Sequence, residues 1–398
     1  MMIRSLFLLL ILSLFCSFVS ASAATPTVPK VDEAQLSFEK KVAAQLASMS
    51  LEEKVGQLFI IAADGDLENL IRTYHVGGVI LFSRHTHSLS DTMQLIEQVR
   101  QAAPLSPFIA VDQEGGRVSR LSFATTIPTA RSLGNHSASA LQKVGMLVGR
   151  ELQALGFNLN FAPVLDVDTC KENPVIGNRS FGNDPYVVAQ LGTAYIRGLH
   201  NSGILAAAKH FPGHGDTSSD SHFVLPIVNQ ARDRLETVEM LPFRAALRSD
   251  VDMIMAAHVH YPALDPTPNL PASLSKPILT GILRQEMGFS GIIITDAMNM
   301  RAITDLMDSG QAAQSAFQAG ADIILMPQDL PAAYHALLSS VKTGEISITR
   351  VDESVRRILF LKLRFPEGRN LAFDARLKHA SNIVGSPAHR LELEQLLK

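Results

Sequence analysis

Gly203-Ile204-Leu205-Ala206-Ala207-Ala208-Lys209-His210-Phe211-Pro212-Gly213-His214-Gly215-Asp216 falls into two halves of opposite chemistry. The first six residues are apolar without a break, the pattern of a strand buried on both faces. The second half opens on a base and a histidine and runs into a Gly/Pro-rich loop, with Asp220-Ser221-His222 close behind. Lys and His abutting a buried strand are costly unless they have a partner or a task. Polar residues at a strand's carboxyl end are where α/β barrels keep their chemistry.

The same pattern recurs along the chain. Apolar runs of strand length fall at 56–62, 78–82, 108–111, 157–161, 204–208, 253–257, 292–295 and 322–326. Helical periodicity lies between most of them, at 92–101, 138–155, 185–201, 236–249, 275–287 and 310–319. Strands alternating with helices imply right-handed crossovers and a parallel sheet. Eight such units predict a single (β/α)8 TIM-like barrel. The competing doubly wound sheet would want a Gly-rich phosphate loop after an early strand, which Gly77-Gly78 does not supply. Ser50, followed by Glu52 and Glu53, reads as the N-cap of a short helix before the first strand. After the last strand the pattern is helical only, at 352–363 and 374–398, with Pro387 interrupting the second segment. The expected organisation is a linker and N-terminal helix over 24–48, the barrel over 49–368 and a C-terminal helical extension over 369–398.

The bulk numbers agree with a large globular fold. The chain has 398 residues, 46% hydrophobic and 18% charged, which is too apolar for disorder. Its 35 basic and 38 acidic residues give a net charge of −3 without a basic block, which argues against nucleic acid as a partner. Arg4, an apolar run over 5–20 and Ala21-Ser22-Ala23 have the form of a secretory signal peptide at residues 1–23. Export to the periplasm or the exterior follows, with membrane contact only if the leader is retained as an anchor. Cleavage would remove Cys16 and leave Cys170 alone, so no internal disulfide is expected.

The barrel makes a demand on the strand ends. Strand three runs into Asp112-Gln113-Glu114-Gly115-Gly116-Arg117, with Arg120 beyond, and strand four leads to Asp166 and Asp168. Strand five ends in Lys209-His210, strand six in His258-Val259-His260, and strand seven in Thr295-Asp296. Five of eight strands thus deliver polar groups to one rim, which a merely structural barrel would not require. Asp296 emerges directly from Ile292-Ile293-Ile294-Thr295, and reads either as a helix N-cap or as a nucleophile or general base. Asp220 and His222, two apart in an extended segment, can meet, and an Asp that orients a His makes a general acid/base. The bland alternative is a solvent-exposed loop histidine.

These motifs resemble family 3 glycoside hydrolases, in particular the bacterial β-N-acetylglucosaminidase (β-hexosaminidase) branch. The matching segments are 111–118, 161–167, 176–182, 209–215, 220–222 and 294–298, and the likeness runs from about 49 to 365. The resemblance implies that Asp296 is the nucleophile of a double displacement and His222 the general acid/base, with Asp220 as its partner. It implies that Asp112, Arg120, Arg179, Lys209 and His210 bind the terminal sugar. A histidine in place of the second carboxylate departs from the scheme of most glycosidases. It leaves phosphorolysis or transglycosylation open beside hydrolysis. The implied substrate is a terminal β-linked N-acetylglucosamine on a peptidoglycan-derived or related glycan, taken by a monomer without cofactor or metal. Two features depart from the branch: the leader, and a chain that stops near Val384-Gly385-Ser386-Pro387, which resembles the linker into a second domain. Two rival readings remain. His210, His214, His222, His258 and His260 could serve a metal-dependent amidohydrolase, or the barrel could bind glycans without turning them over.

Overall fold

Eight parallel strands form the centre: β1 (Phe59–Ala62), β2 (Gly78–Leu81), β3 (Phe108–Val111), β4 (Leu159–Asn160), β5 (Leu205–Phe211), β6 (Met253–Ala256), β7 (Ile292–Thr295) and β8 (Ile324–Leu325). The computed structural model describes residues 33–221, 223–364 and 372–398. The leader at 1–23, the linker through residue 32, His222 and the expected boundary at 368/369 lie outside them.

The order around the sheet is β7-β6-β5-β4-β3-β2-β1-β8. Registers such as Val79↔Ile109 and Met255↔Ile294 keep all seven pairings parallel. The ring is brought together between β7 and β8 by the bridge Ile294↔Ile323 and by Thr295 N–H donating to the Ile323 carbonyl. This is the TIM-like barrel that the alternation of strands and helices predicts. The strands are buried on both faces, with Phe59, Phe108, Leu159, Ala206 and Ile293 all at 0–1% exposure or below, which is why the sequence shows runs and not alternation.

Several boundaries differ from the sequence reading. Gly56 ends a helix (Leu51–Gly56) and is not the start of β1. That helix opens on a reciprocal cap, with Ser50 Oγ accepting from Glu53 N–H and Glu53 accepting from Ser50 N–H. β5 is longer than expected and takes in Lys209, His210 and Phe211, with a register shift against β6 at that point. β4 is shorter, because side chains take over its pairing. Asn160 Oδ1 accepts from Gln113 N–H at 3.0 Å, and Asn160 Nδ2 donates to the Gln113 carbonyl at 3.1 Å.

The helices at Ala138–Leu155 and Pro185–Asn201 have the predicted ends. The segment expected at 236–249 is split into a π-helical turn, Leu235–Glu239, and a helix, Leu241–Leu247, with Pro242 near its start. The segment expected at 275–287 is a π-helix, Pro277–Glu286. In the C-terminal part, Pro387 starts a helix (Pro387–Leu396) capped by Ser386, and the break falls just before it. Buried Glu151 ties this part down: it accepts from Thr125 N–H and Oγ1–H, from Gly385 N–H and from His389 Nδ1–H.

At the opposite end of the barrel, Asp322 anchors the start of β8. This fully buried carboxylate accepts from Arg284, Arg350, Arg357, Ser354 and the Ile293 N–H. Arg350, Ser354 and Arg357 belong to the helix Ile348–Arg364, so that helix and the last strand are held together.

Candidate active site

A cavity of about 380 Å³ opens at the carboxyl ends of the strands. It lies at the small end of the usual ligand-pocket range, roughly 300–1,000 Å³. Asp112, Arg120, Arg179, Lys209, His210, Asp220 and Asp296 all line it. The structure therefore brings together seven of the eight residues singled out from sequence, and the eighth, His222, lies outside the described residues.

Lys209 is the hub. Its Nζ lies 2.7 Å from Asp112 Oδ1 and 2.7 Å from Glu114 Oε1. Arg179 grips the same Glu114 with two bonds, Nε to Oε2 at 2.9 Å and Nη2 to Oε1 at 2.8 Å. Arg120 Nη2 reaches Asp112 Oδ2 at 3.3 Å, and its backbone N–H donates to Gln113 Oε1. Burial would push the Lys209 ammonium toward neutrality, yet Asp112 and Glu114 outweigh it and hold the pKa above its ordinary value. The same balance keeps Glu114 ionised: burial opposes its charge, and Arg179 and Lys209 overcome that. These are charge-assisted bonds between fixed groups, suited to gripping sugar hydroxyls.

His210 is set by Asp166, a carboxylate with 0% exposure. His210 Nδ1–H donates to Asp166 Oδ2 at 2.7 Å, and the His210 and His214 N–H groups donate to Oδ1 at 3.1 and 2.7 Å. The ring is thus fixed with Nε2 as its remaining polar atom. His214 is enclosed between Thr217 Oγ1 and Ser221 Oγ, at 3.0 and 3.1 Å, and burial lowers its pKa to about 4. His258 donates from Nε2 to the Ala297 carbonyl at 3.0 Å, and its Nδ1 lies 2.7 Å from Ser273 Oγ. His260 donates from Nδ1 to the Leu270 carbonyl at 3.0 Å. Among the described residues, no three His, Cys, Asp or Glu side chains gather as metal ligands.

Asp296 stands just past β7. Its N–H donates to the Ala256 carbonyl at 2.9 Å, and Met298 N–H donates to the Leu325 carbonyl at 2.8 Å, so the strand end is held from both sides. Oδ1 accepts from the Ala297 N–H at 2.7 Å. Burial alone would raise its pKa. The His210 and His258 imidazoles, the Ala297 N–H and Lys209 together prevail and lower it to about 2. Asp296 is not the side-chain cap of the helix Arg301–Thr304, which begins after Met300 and has no side-chain cap.

Two residues of the site had no role in the sequence reading. Glu114 and Asp166 both appear there as strand-end acids, but only their partners reveal what they do. Asp168, two positions after Asp166, pairs with Arg131 and is not among the residues that line the cavity.

An ionised carboxylate at a barrel mouth, beside a fixed set of cations and acids in a cavity of this size, is the equipment of a glycoside hydrolase. The chain belongs to glycosyl hydrolase family 3: residues 50–361 match the model described as "Glycosyl hydrolase family 3 N terminal domain". It is 37% identical over 363 residues to the β-hexosaminidase A of Pseudoalteromonas piscicida, a match that covers 83% of this chain and 60% of that protein. It is 37% identical over 301 residues to a β-hexosaminidase of Idiomarina loihiensis, covering 73% of this chain and 89% of the other. In structure it resembles a family 3 β-N-acetylglucosaminidase from Paenibacillus sp. str. FPU-7, with a TM-score of 0.77 and 40% identity over 84% of this chain and 68% of that one. The chain thus spans about three fifths of the Pseudoalteromonas protein and most of the Idiomarina one.

Proposed function

We propose that this chain is a retaining exo-β-N-acetylglucosaminidase that removes terminal β-linked N-acetylglucosamine from peptidoglycan-derived or related glycans. The observation that carries this reading is Asp296, held ionised at a rigid strand end in a pocket whose other groups suit sugar hydroxyls. In the first step an Asp296 carboxylate oxygen attacks the anomeric carbon while the bond to the leaving oxygen breaks. His222, partnered by Asp220, donates a proton to that oxygen. In the second step His222 takes a proton from water, whose oxygen displaces Asp296 and releases the sugar with its configuration retained. Asp112, Arg120, Arg179, Lys209 and His210 bind the sugar in both steps. The assignment of His222 rests on the family resemblance of Asp220-Ser221-His222. The leader supports an exported enzyme, and monomeric action fits a site built within one chain.

The test is a mechanism-based fluorosugar followed by peptide mapping. The label is expected on Asp296, and a label elsewhere would overturn the assignment. Asp296→Ala should lose turnover of an aryl β-N-acetylglucosaminide, whereas wild-type-like turnover would sink the nucleophile. Product analysis in phosphate buffer separates the two acceptors: free N-acetylglucosamine is expected, and its 1-phosphate would replace hydrolysis by phosphorolysis. Cell fractionation tests export, with recovery of the full-length chain in the cytosol as the contrary result.

A further inference from the structure

The loop between β3 and the helix Ala130–Leu133 has two halves with different surroundings. In the inner half, Asp112, Glu114, Arg117, Val118 and Arg120 line the cavity. In the outer half, Leu121, Ala124 and Ile127 turn into the core. The outer half supports the inner one. Gly116 N–H donates to the Ile127 carbonyl at 2.9 Å, within a tight turn whose Glu114 N–H donates to the Val118 carbonyl, also at 2.9 Å. A Cβ added at Gly115 would meet the Pro128 carbonyl oxygen at 2.6 Å, so this turn lies directly against the outer half. The turn carries Glu114, the carboxylate that Lys209 and Arg179 share.

The outer half is fastened in turn to the C-terminal helices through one buried carboxylate. Glu151, on the helix Ala138–Leu155, is 3% exposed. It accepts from Thr125 N–H at 2.9 Å and from Thr125 Oγ1–H at 2.6 Å. The oxygen that takes the hydroxyl also takes Gly385 N–H at 2.9 Å and His389 Nδ1–H at 3.0 Å. The helices on either side of Gly385, Phe373–Ile383 and Pro387–Leu396, are pinned by Arg376 to Glu97 and by Arg150 to Glu392, each at 2.7 Å. A buried carboxylate is costly once its donors leave. Two of these four bonds come from the loop and two from the C-terminal segment. Neither segment can shift without weakening the satisfaction of a charge that the other also holds.

We propose that Glu151 is a positioning residue for the sugar site, one that makes the seating of the C-terminal helices set the placement of Glu114. This rests on the glycosidase reading above. The path runs from Gly385 and His389 through Glu151 to Thr125, then through Ile127 to the Gly116 turn and Glu114. Glu114 fixes Lys209 and Arg179, so the far end of the chain acts on how the sugar is gripped. A contact that merely held the C-terminal helices down would lower stability and leave substrate affinity alone.

The experiment uses the full-length chain and an aryl β-N-acetylglucosaminide, at a temperature well below each variant's denaturation midpoint. Glu151→Gln and the milder Thr125→Val should each raise KM by roughly three- to tenfold, with a smaller change in kcat. Thr125→Ser keeps the hydroxyl and should restore the wild-type KM. His389→Phe should raise KM as well, and combined with Thr125→Val it should give less than the product of the two single effects. A lower midpoint with KM unchanged in Glu151→Gln and Thr125→Val would overturn the positioning role and leave the hydrolase reading standing. Independent effects of His389→Phe and Thr125→Val would overturn the relay through Glu151. A wild-type chain that does not turn over the glycoside would sink the hydrolase reading and the positioning role with it.

Discussion

Lys209 Nζ and Glu114 Oε1 meet at 2.7 Å with side-chain exposures of only 3% and 5%. A pair this enclosed has little water to take over if one member loses its charge. Glu114→Gln would leave Lys209 and Arg179 facing an amide, whose NH2 points a donor at two cations. Breaking such a pair costs about 3 kcal/mol or more. Urea denaturation should show the loss as a lower midpoint. KM for the glycoside should rise as well, because Lys209 and Arg179 are both set by this carboxylate. An unchanged midpoint would mean that the cations find other partners.

Asp166 fixes the His210 ring, and through it should act on the proposed reaction. Asp166→Asn keeps the shape but can no longer take the Nδ1 proton in the same way, so the ring is free to present the wrong nitrogen to the pocket. Misplacing a group that contacts the reacting region by about 1 Å costs on the order of 10²-fold in rate. The expected signature is a fall in kcat of that order with a modest change in fluorosugar binding. A change confined to thermal stability would assign Asp166 a structural part only.

His214 gives a pH dependence of stability with a definite sign. Its folded pKa is about 4, lowered by burial from an ordinary value of 6.5. Between those values the unfolded chain binds a proton that the folded chain refuses, so stability rises with pH from about 4 to 6.5 and is level above that. The full difference amounts to at most about 3 kcal/mol. His214→Gln should flatten this stretch of the curve in denaturation midpoints taken from pH 4 to 7. A parallel curve would show that other groups set the slope.

Gly385 tests the docking of the C-terminal helices. Its φ is +61°, and an added Cβ would meet the Phe123 carbonyl oxygen at 2.2 Å. Gly385→Ala should therefore pull its N–H off Glu151 and cost about 1–3 kcal/mol. Limited proteolysis should then cut within 386–398 sooner than in the wild type. Resistance equal to the wild type would mean that the tail is held without this contact.

The architecture was legible because its signal is local. Each strand is a short apolar run, and Lys209-His210 and Asp296 abut theirs directly. What was hidden depends on distance. Glu114 became meaningful only through Arg179, 65 residues on, and Asp166 only through His210, 44 residues on. A strand-end acid has no local mark that separates a ligand-facing group from a brace. β4 was overestimated for a related reason: Asn160 and Gln113 pair by side chain where a backbone ladder would otherwise run. The π-helical turns escaped because apolar spacing does not distinguish them from α-helices of the same length.

The seam where β7 meets β8 has a consequence for how the protein comes to life. Asp296 lies two residues beyond the bridging Ile294, Leu325 and Met326 form part of the pocket wall, and the carboxylate that starts the last strand is clamped by Arg350 and Arg357. A growing chain therefore carries every side chain proposed to grip the sugar long before it carries a finished site. Competence arrives only when the stretch around residues 322–357 has been synthesised and docked. Until then the enzyme is silent, however much of its barrel has already formed.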